Sequence, residues 1–120
     1  MSNPNFTKDF SEERLPGLEY ARPAEIEKHQ LERLRTMLTF LKEDSTNAFY
    51  KARLTEFDPT SLRNISDMAK LPFTLKWDLV EQQKNYPPYG QNLSYPLERY
   101  TKLHQTSGTT GRPLKILDTT

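Results

Sequence analysis

Residues 106–113 read Thr106-Ser107-Gly108-Thr109-Thr110-Gly111-Arg112-Pro113, a cluster of small and hydroxylic residues punctuated by two glycines and followed by a fixed cation. Small side chains let backbone N–H groups approach an anion closely, and glycine accepts the positive φ that a curled loop requires. The hydroxyls of Thr106, Ser107, Thr109 and Thr110 add short donors, and the guanidinium of Arg112 suits phosphate oxygens. The chemistry on offer is therefore the holding of a phosphate group. It is not a Walker A loop: only two residues separate Gly108 from Gly111, and no Lys-Ser/Thr pair opens a helix behind them. The dinucleotide fingerprint fails too, because no third glycine follows at the required spacing. The same composition also describes a plain hairpin turn between two strands, and both readings stand at this point. Arg99, Lys102, Arg112 and Lys115 against Asp118 give the neighbourhood a basic excess, which favours an anion.

The elements that must position this loop are strands. From Tyr100 to Asp118 the pattern has a period of two, with Thr101, Leu103 and Gln105 facing one way and Leu114 and Ile116 continuing after the loop. Pro113 ahead of Leu114-Lys115-Ile116-Leu117 points to an extended segment and not to a helix start. His104 alternates with Lys102 and Tyr100 on the strand entering the loop, and reads as a structural strand histidine beside the site, since no second metal ligand stands at a usable spacing.

Upstream the pattern is helical. Pro23 suits the first turn of a helix, Glu25 and Glu27 complement its positive end, and Ile26, Leu31, Leu34, Met37, Leu38 and Leu41 recur at helical spacing. Glu27, Lys28, Glu32, Arg33 and Arg35 form the opposite, solvated face. Asp44-Ser45-Thr46 offers N-caps for a shorter helix through Phe49 and Leu54. Residues 60–64 read as one helical turn, Ser66 as the cap of a brief helix holding Met68, and Thr74 as the cap of a helix carrying Leu75, Trp77, Leu79 and Val80. Tyr86-Pro87-Pro88-Tyr89-Gly90 is a turn. The aromatics Phe49, Tyr50, Phe57, Phe73, Trp77, Tyr86 and Tyr89 read as packing anchors of these short helices. Residues 1–22 read as a polar arm.

In 120 residues, 34% hydrophobic and 28% charged with mean hydropathy −0.85, the chain is polar for a self-sufficient core but not disordered in composition. A net charge of +1 gives no reason to invoke nucleic acid or an anionic membrane. The absence of cysteine excludes disulfides and thiolate metal sites. Residues 1–14 contain acids and no apolar run, and nothing has the length of a membrane span, so a cytoplasmic protein is expected.

The run from Tyr100 to Pro113 resembles the phosphate loop of the adenylate-forming (AMP-binding) ligases, and within them the phenylacetate–coenzyme A ligase group. Those enzymes place a strand histidine just before a Ser-Gly-Thr-Thr-Gly loop followed by Lys or Arg and then Pro. Leu71-Pro72-Phe73-Thr74-Leu75-Lys76-Trp77-Asp78-Leu79, closing at Asn85-Tyr86-Pro87, resembles a second stretch of the same group. Gln30-Leu31-Glu32-Arg33-Leu34 and Asn47-Ala48-Phe49-Tyr50-Lys51 echo its opening helices. The likeness covers roughly residues 26–117, with the motifs in order. Arg112 departs from the more usual lysine, Trp77 and Tyr89 differ, and residues 91–98 match poorly.

The resemblance implies an α/β fold cut from a larger body. A helical N-terminal part feeds a β-hairpin that carries the phosphate loop, residues 23–120 being the incomplete start of the adenylation domain. It implies activation of a small carboxylic acid by ATP as an acyl-adenylate, then transfer to coenzyme A. Ser107, Gly108, Thr109, Thr110 and Gly111 would contact the β- and γ-phosphates, with Thr106 supporting the entry and Arg112 screening charge. Magnesium is expected with ATP, but its carboxylate ligand, the ribose-binding aspartate and the catalytic lysine of these enzymes are expected from a missing downstream part. No residue here is named as a proton-transfer catalyst, and the segment alone is expected to be inactive. A carrier-protein or amine acceptor, or a non-catalytic interaction module, are the alternative readings.

Overall fold

The computed structural model describes residues 17–108 and 111–120. The expected arm therefore lies outside the described residues over 1–16, as do Thr109 and Thr110 of the loop. Helices α1 (Pro23–Glu43), α2 (Ala48–Arg53) and α3 (Lys76–Asn85) precede an antiparallel pair, β1 (Tyr100–Gln105) and β2 (Lys115–Thr119). Short 3-10 turns at Leu18–Tyr20, Pro59–Ser61, Ile65–Lys70 and Leu97–Arg99 fill the connections. A helical part followed by a two-stranded hairpin is what the sequence pattern predicts.

Helix α1 starts where expected, with Pro23 in its first turn and Glu25 Oε2 accepting the Arg22 N–H at 2.8 Å. Leu31 and Leu38 from its apolar stripe join Leu54 and the fully buried Leu62 in the core, with Leu34, Leu41, Tyr50, Phe57, Ile65 and Leu71 packed around them. Two expectations about this helix change. Met37 lies at the edge of the stripe and is exposed, while Phe40 is buried and meets Tyr95 with ring centroids 5.3 Å apart. Arg35, assigned to the solvated face, is half-buried and donates from its guanidinium to the Leu62 carbonyl, with Nε at 2.9 Å. A buried carbonyl needs a donor, and the long arginine stem brings one to it.

The cap assignments shift as well. The N-cap of α2 is Asn47, not one of Asp44, Ser45 or Thr46; its Oδ1 accepts the Tyr50 N–H at 3.0 Å. Its Nδ2 donates to the Asn92 carbonyl at 2.8 Å and the Ser94 hydroxyl at 3.0 Å. A carboxamide can accept the cap and donate to two distant groups together; a Ser or Thr hydroxyl has only one proton to give. Helix α3 begins after Leu75, whose N–H goes to Asp78 Oδ2 at 2.8 Å, and Thr74 instead meets the Tyr50 hydroxyl at 2.8 Å. The turn after Asp58 is Pro59–Ser61, and Asn64 with Asp67, not Ser66, opens the turn at Ile65–Lys70.

Only part of the aromatic set is core. Phe49 is buried, whereas Phe73, Trp77 and Tyr86 are 83%, 63% and 48% exposed. In β2 the phase is also shifted by one from the expected alternation. Ile116 stands opposite His104 and shares its face, while Leu117 stands opposite Leu103. The extra residues of the loop decide that register, and a shift of one position exchanges the two faces of a strand.

Two tests follow from the buried and charged contacts. Asn47→Ala strands the Asn92 carbonyl and the Tyr50 N–H, and should cost about 2–3 kcal/mol in urea unfolding. Thr46→Ala, which removes only an exposed hydroxyl bond of 2.7 Å to Leu93, should cost under about 1 kcal/mol. At Asp67, the Lys70 ammonium first, then the Arg63 N–H, hold the carboxyl at about 2, from the usual 3.8. Because the folded value is depressed, that stabilisation is complete above about pH 4 and disappears as pH falls through about 2. A carboxyl-carbon NMR titration of Asp67 with its midpoint near 4 would remove these contacts from the fold.

Candidate functional site

Strands β1 and β2 run antiparallel with Lys102 opposite Asp118, His104 opposite Ile116 and Gln105 opposite Lys115, so both legs of the 106–113 loop leave the same end of the hairpin. The base of the loop is closed by one residue. Thr106 donates its N–H to the Leu114 carbonyl at 3.0 Å, and its Oγ1 accepts the Leu114 N–H at 2.8 Å. The threonine hydroxyl stands in for a backbone carbonyl, so a β-like rung forms although the backbone has already begun to turn. Leu114 is buried below this rung, which ties the exit strand to apolar packing.

Above the base, the Gly111 N–H reaches the Gly108 carbonyl at 2.8 Å. Both glycines have positive φ, +66° and +97°. Their requirements differ. A Cβ on Gly108 would lie 2.9 Å from the Pro113 nitrogen and 3.0 Å from its Cδ, whereas a Cβ on Gly111 would meet nothing within 4 Å. Gly108 is thus fixed by both conformation and space, Gly111 by conformation alone. Ser107, Gly111 and Arg112 are exposed, and Thr106 and Gly108 are half-buried. The structure therefore gathers Thr106, Ser107, Gly108, Gly111 and Arg112 on one curled connection; Thr109 and Thr110 lie outside the described residues.

His104 has a partner the sequence did not single out. Its Nε2 lies 2.9 Å from Asp118 Oδ2 on the same face of the hairpin, with both side chains more than half exposed. That cross-strand contact accounts for a strand histidine without assigning it chemistry. Among the charges expected to enrich the neighbourhood, Arg99 lies over the Tyr95 ring at 5.0 Å, Lys115 is half-buried and Arg112 is exposed beside the loop.

Two anchors tie the hairpin to the helical part, and neither was visible beforehand. At the far end of β1 the Tyr100 hydroxyl accepts the N–H groups of Ser94 and Tyr95 at 2.9 and 3.2 Å, in the segment that Asn47 holds. At the loop end, Gln83 of α3 donates Nε2 to the Lys115 carbonyl at 2.6 Å and accepts the Lys115 N–H on Oε1 at 3.0 Å. Gln83 and Lys115 are 32 positions apart, and no local pattern announces the pair. A hollow of about 710 Å³ lies elsewhere, between α1, α2 and the Ile65–Lys70 turn; Met37, Leu41, Met68, Leu71 and Pro72 are among its walls, and no loop residue lines it. Among the described residues no group of three His, Cys, Asp or Glu side chains could hold a metal ion, and no helix is long and apolar enough to cross a membrane.

No family model matches the chain. Individual relatives do. It is 38% identical over 114 residues to a phenylacetate–coenzyme A ligase of Pseudomonas putida, a match covering 93% of this chain and 24% of that one. A phenylacetate–coenzyme A ligase of Escherichia coli is 32% identical over 103 residues, 86% of this chain and 22% of the enzyme. Among solved structures, 2-hydroxyisobutyryl-CoA ligase in complex with 2-HIB-AMP and CoA superposes with a TM-score of 0.75 at 31% identity, covering 92% of this chain and 25% of that one. The same ligase in its postadenylation state gives a TM-score of 0.71 at 28% identity. The chain spans about a quarter of the length of the curated relatives it matches. Over nearly its whole length the chain is thus similar in sequence to a fragment of phenylacetate–coenzyme A ligases, and in fold to a fragment of an adenylate-forming CoA ligase.

Proposed function

We propose that this chain is the N-terminal part of an ATP-dependent acid–coenzyme A ligase of the phenylacetate or aryl acid type. In this reading residues 1–22 are a polar arm, residues 23–120 begin the AMP-binding domain, and the remainder of the active site belongs to the rest of a longer, cytoplasmic enzyme. The observation that carries the reading is the loop. It has a rigid base at Thr106 and Leu114, two glycines at positive φ, and exposed Ser107 and Arg112 at its surface.

In the first half-reaction a carboxylate oxygen attacks the α-phosphorus of ATP, the bond to the bridging oxygen breaks, and pyrophosphate leaves with the electron pair. In the second, the coenzyme A sulfur attacks the acyl carbon of the acyl-adenylate, forming the thioester and releasing AMP. Ser107, Gly108, Thr109, Thr110 and Gly111 act in the first half by contacting the β- and γ-phosphates, through the N–H and O–H donors that the Gly111–Gly108 bond leaves free. Charge grows on the departing pyrophosphate, so fixed donors stabilise the transition state more than bound ATP. Arg112 adds a planar cation from the rim. Thr106 holds the loop's entry through its rung to Leu114. Magnesium would come with ATP, but the described residues offer no cluster that fits it, and no step is assigned through them. Coenzyme A is favoured over a carrier protein or an amine as acceptor, because the named relatives are coenzyme A ligases and a solved neighbour holds CoA.

The 120-residue chain should bind MgATP weakly, as followed by the amide signals of Gly108 and Gly111. The double substitution Gly108→Val and Gly111→Val should abolish that binding; ATP binding that survives it unchanged contradicts the proposed role. The single alanine variants separate the two glycines. Both carry a left-handed penalty of roughly 1–2 kcal/mol, and Gly108→Ala adds a clash with Pro113, so it should weaken binding more than Gly111→Ala.

A further inference from the structure

Gln83 is the side chain through which α3 takes hold of the strand leaving the loop, and its geometry is more specific than packing requires. The Lys115 N–H and C=O point away from β1, toward the outer edge of the hairpin, and the carboxamide of Gln83 meets both, at 3.0 and 2.6 Å. Only one orientation of the amide satisfies that pair, with oxygen toward the N–H and nitrogen toward the carbonyl. The side chain thus imitates one residue of a third strand at Lys115, immediately after the Thr106–Leu114 rung. The neighbouring Gln82 serves a different element: its Oε1 accepts the Gln91 N–H at 3.2 Å, and its Cβ would lie 3.1 Å from a Cβ on Gly90.

We propose that Gln83 is a positioning residue for the phosphate loop. By fixing both backbone groups of Lys115 it sets where β2 begins, and hence the separation of the two legs between which Gly108 and Gly111 curl. This inference rests on the reading of the loop as a polyphosphate grip. Gln83 touches no phosphate in this scheme. It acts on the exit leg, so that the donors of the loop are already arranged when an anion arrives.

The test uses the 120-residue chain titrated with tripolyphosphate, followed by the amide shifts of Gly108 and Gly111. Gln83→Met keeps the length of the side chain and removes both polar atoms. It should leave helical content unchanged by circular dichroism and weaken binding about tenfold, because the loop then holds its gripping shape for a smaller share of the time. Gln83→Glu keeps an acceptor for the Lys115 N–H but sets a carboxylate against the Lys115 carbonyl. Once protonated, that carboxyl regains a donor, so the affinity of this variant relative to the unsubstituted chain should rise as pH falls through the carboxylate range. General loosening would not produce such a pH profile. Gln82→Met should bind as the unsubstituted chain does. If Gln83→Met binds as tightly as the unsubstituted chain, the assignment is overturned while the loop keeps its role. If the unsubstituted chain itself fails to bind tripolyphosphate, the phosphate reading falls, and the role of Gln83 falls with it.

Discussion

A buried carboxamide must have all its polar atoms met, and in this chain that requirement joins the two halves of the fold. Asn47 is buried, yet two of its three side-chain hydrogen bonds go to residues some 45 positions away, at Asn92 and Ser94. Thr46 and Phe49 add backbone bonds to Ser94 and Gln91. The segment so held gives its own N–H groups to the Tyr100 hydroxyl at the start of β1. A continuous series of satisfied polar groups therefore runs from the core, through Asn47, into the strand that enters the loop. Asn47 itself is buried, so leaving its carboxamide unpaired would carry the desolvation cost of a buried polar group.

Hydrophobic burial alone would not place the hairpin. Leu103 and Ile116 are 55% and 46% exposed, so beyond buried Leu114 at the loop base and half-buried Leu117 the hairpin offers little apolar surface for docking, and directional bonds supplement it. Tyr100 fixes one end and Gln83 the other. The apolar surface left outside, with Phe73, Leu75 and Trp77 prominent, fits a segment that spans a quarter of its relatives' length.

What was legible in the sequence was what local chemistry determines. The α1 stripe follows from helical spacing, the strands from a period of two, and the glycine positions of the loop from the demand for positive φ. The features that escaped depend on partners far along the chain. Asn47 outcompetes Ser45 and Thr46 as a cap because of groups at 92–94, and Arg35 leaves the solvent face because Leu62 needs a donor. Thr74 gives up its cap because the Tyr50 hydroxyl lies within reach. Trp77 looked like an anchor because its size suggests burial, but α3 turns it outward. Asp78 on the same helix both accepts the Leu75 N–H and pairs with Arg53 at 2.9 Å. The phase of Ile116 could not be read across a loop whose residue count in the turn was unknown.

The division of labour in the loop has a physical logic that the two glycines make plain. A grip on a polyphosphate needs donors that converge before the anion arrives, because reorganising them during the reaction would add to the barrier. It also needs a tip free enough to admit and release the ligand. Here stiffness sits at the base. The Thr106–Leu114 rung and the Gln83 clamp on Lys115 both restrain the legs. At the tip, Gly111 is in open space and Ser107 and Arg112 face solvent. Arginine at position 112 suits that arrangement. Its planar fork can pair with two phosphate oxygens from the rim without entering the curl, whereas a lysine would offer a point charge with no fixed direction. The threonine hydroxyl closes the rung below the loop, and the glutamine carboxamide extends the sheet edge by one residue. Together these bonds restrain the two legs of the loop at their base.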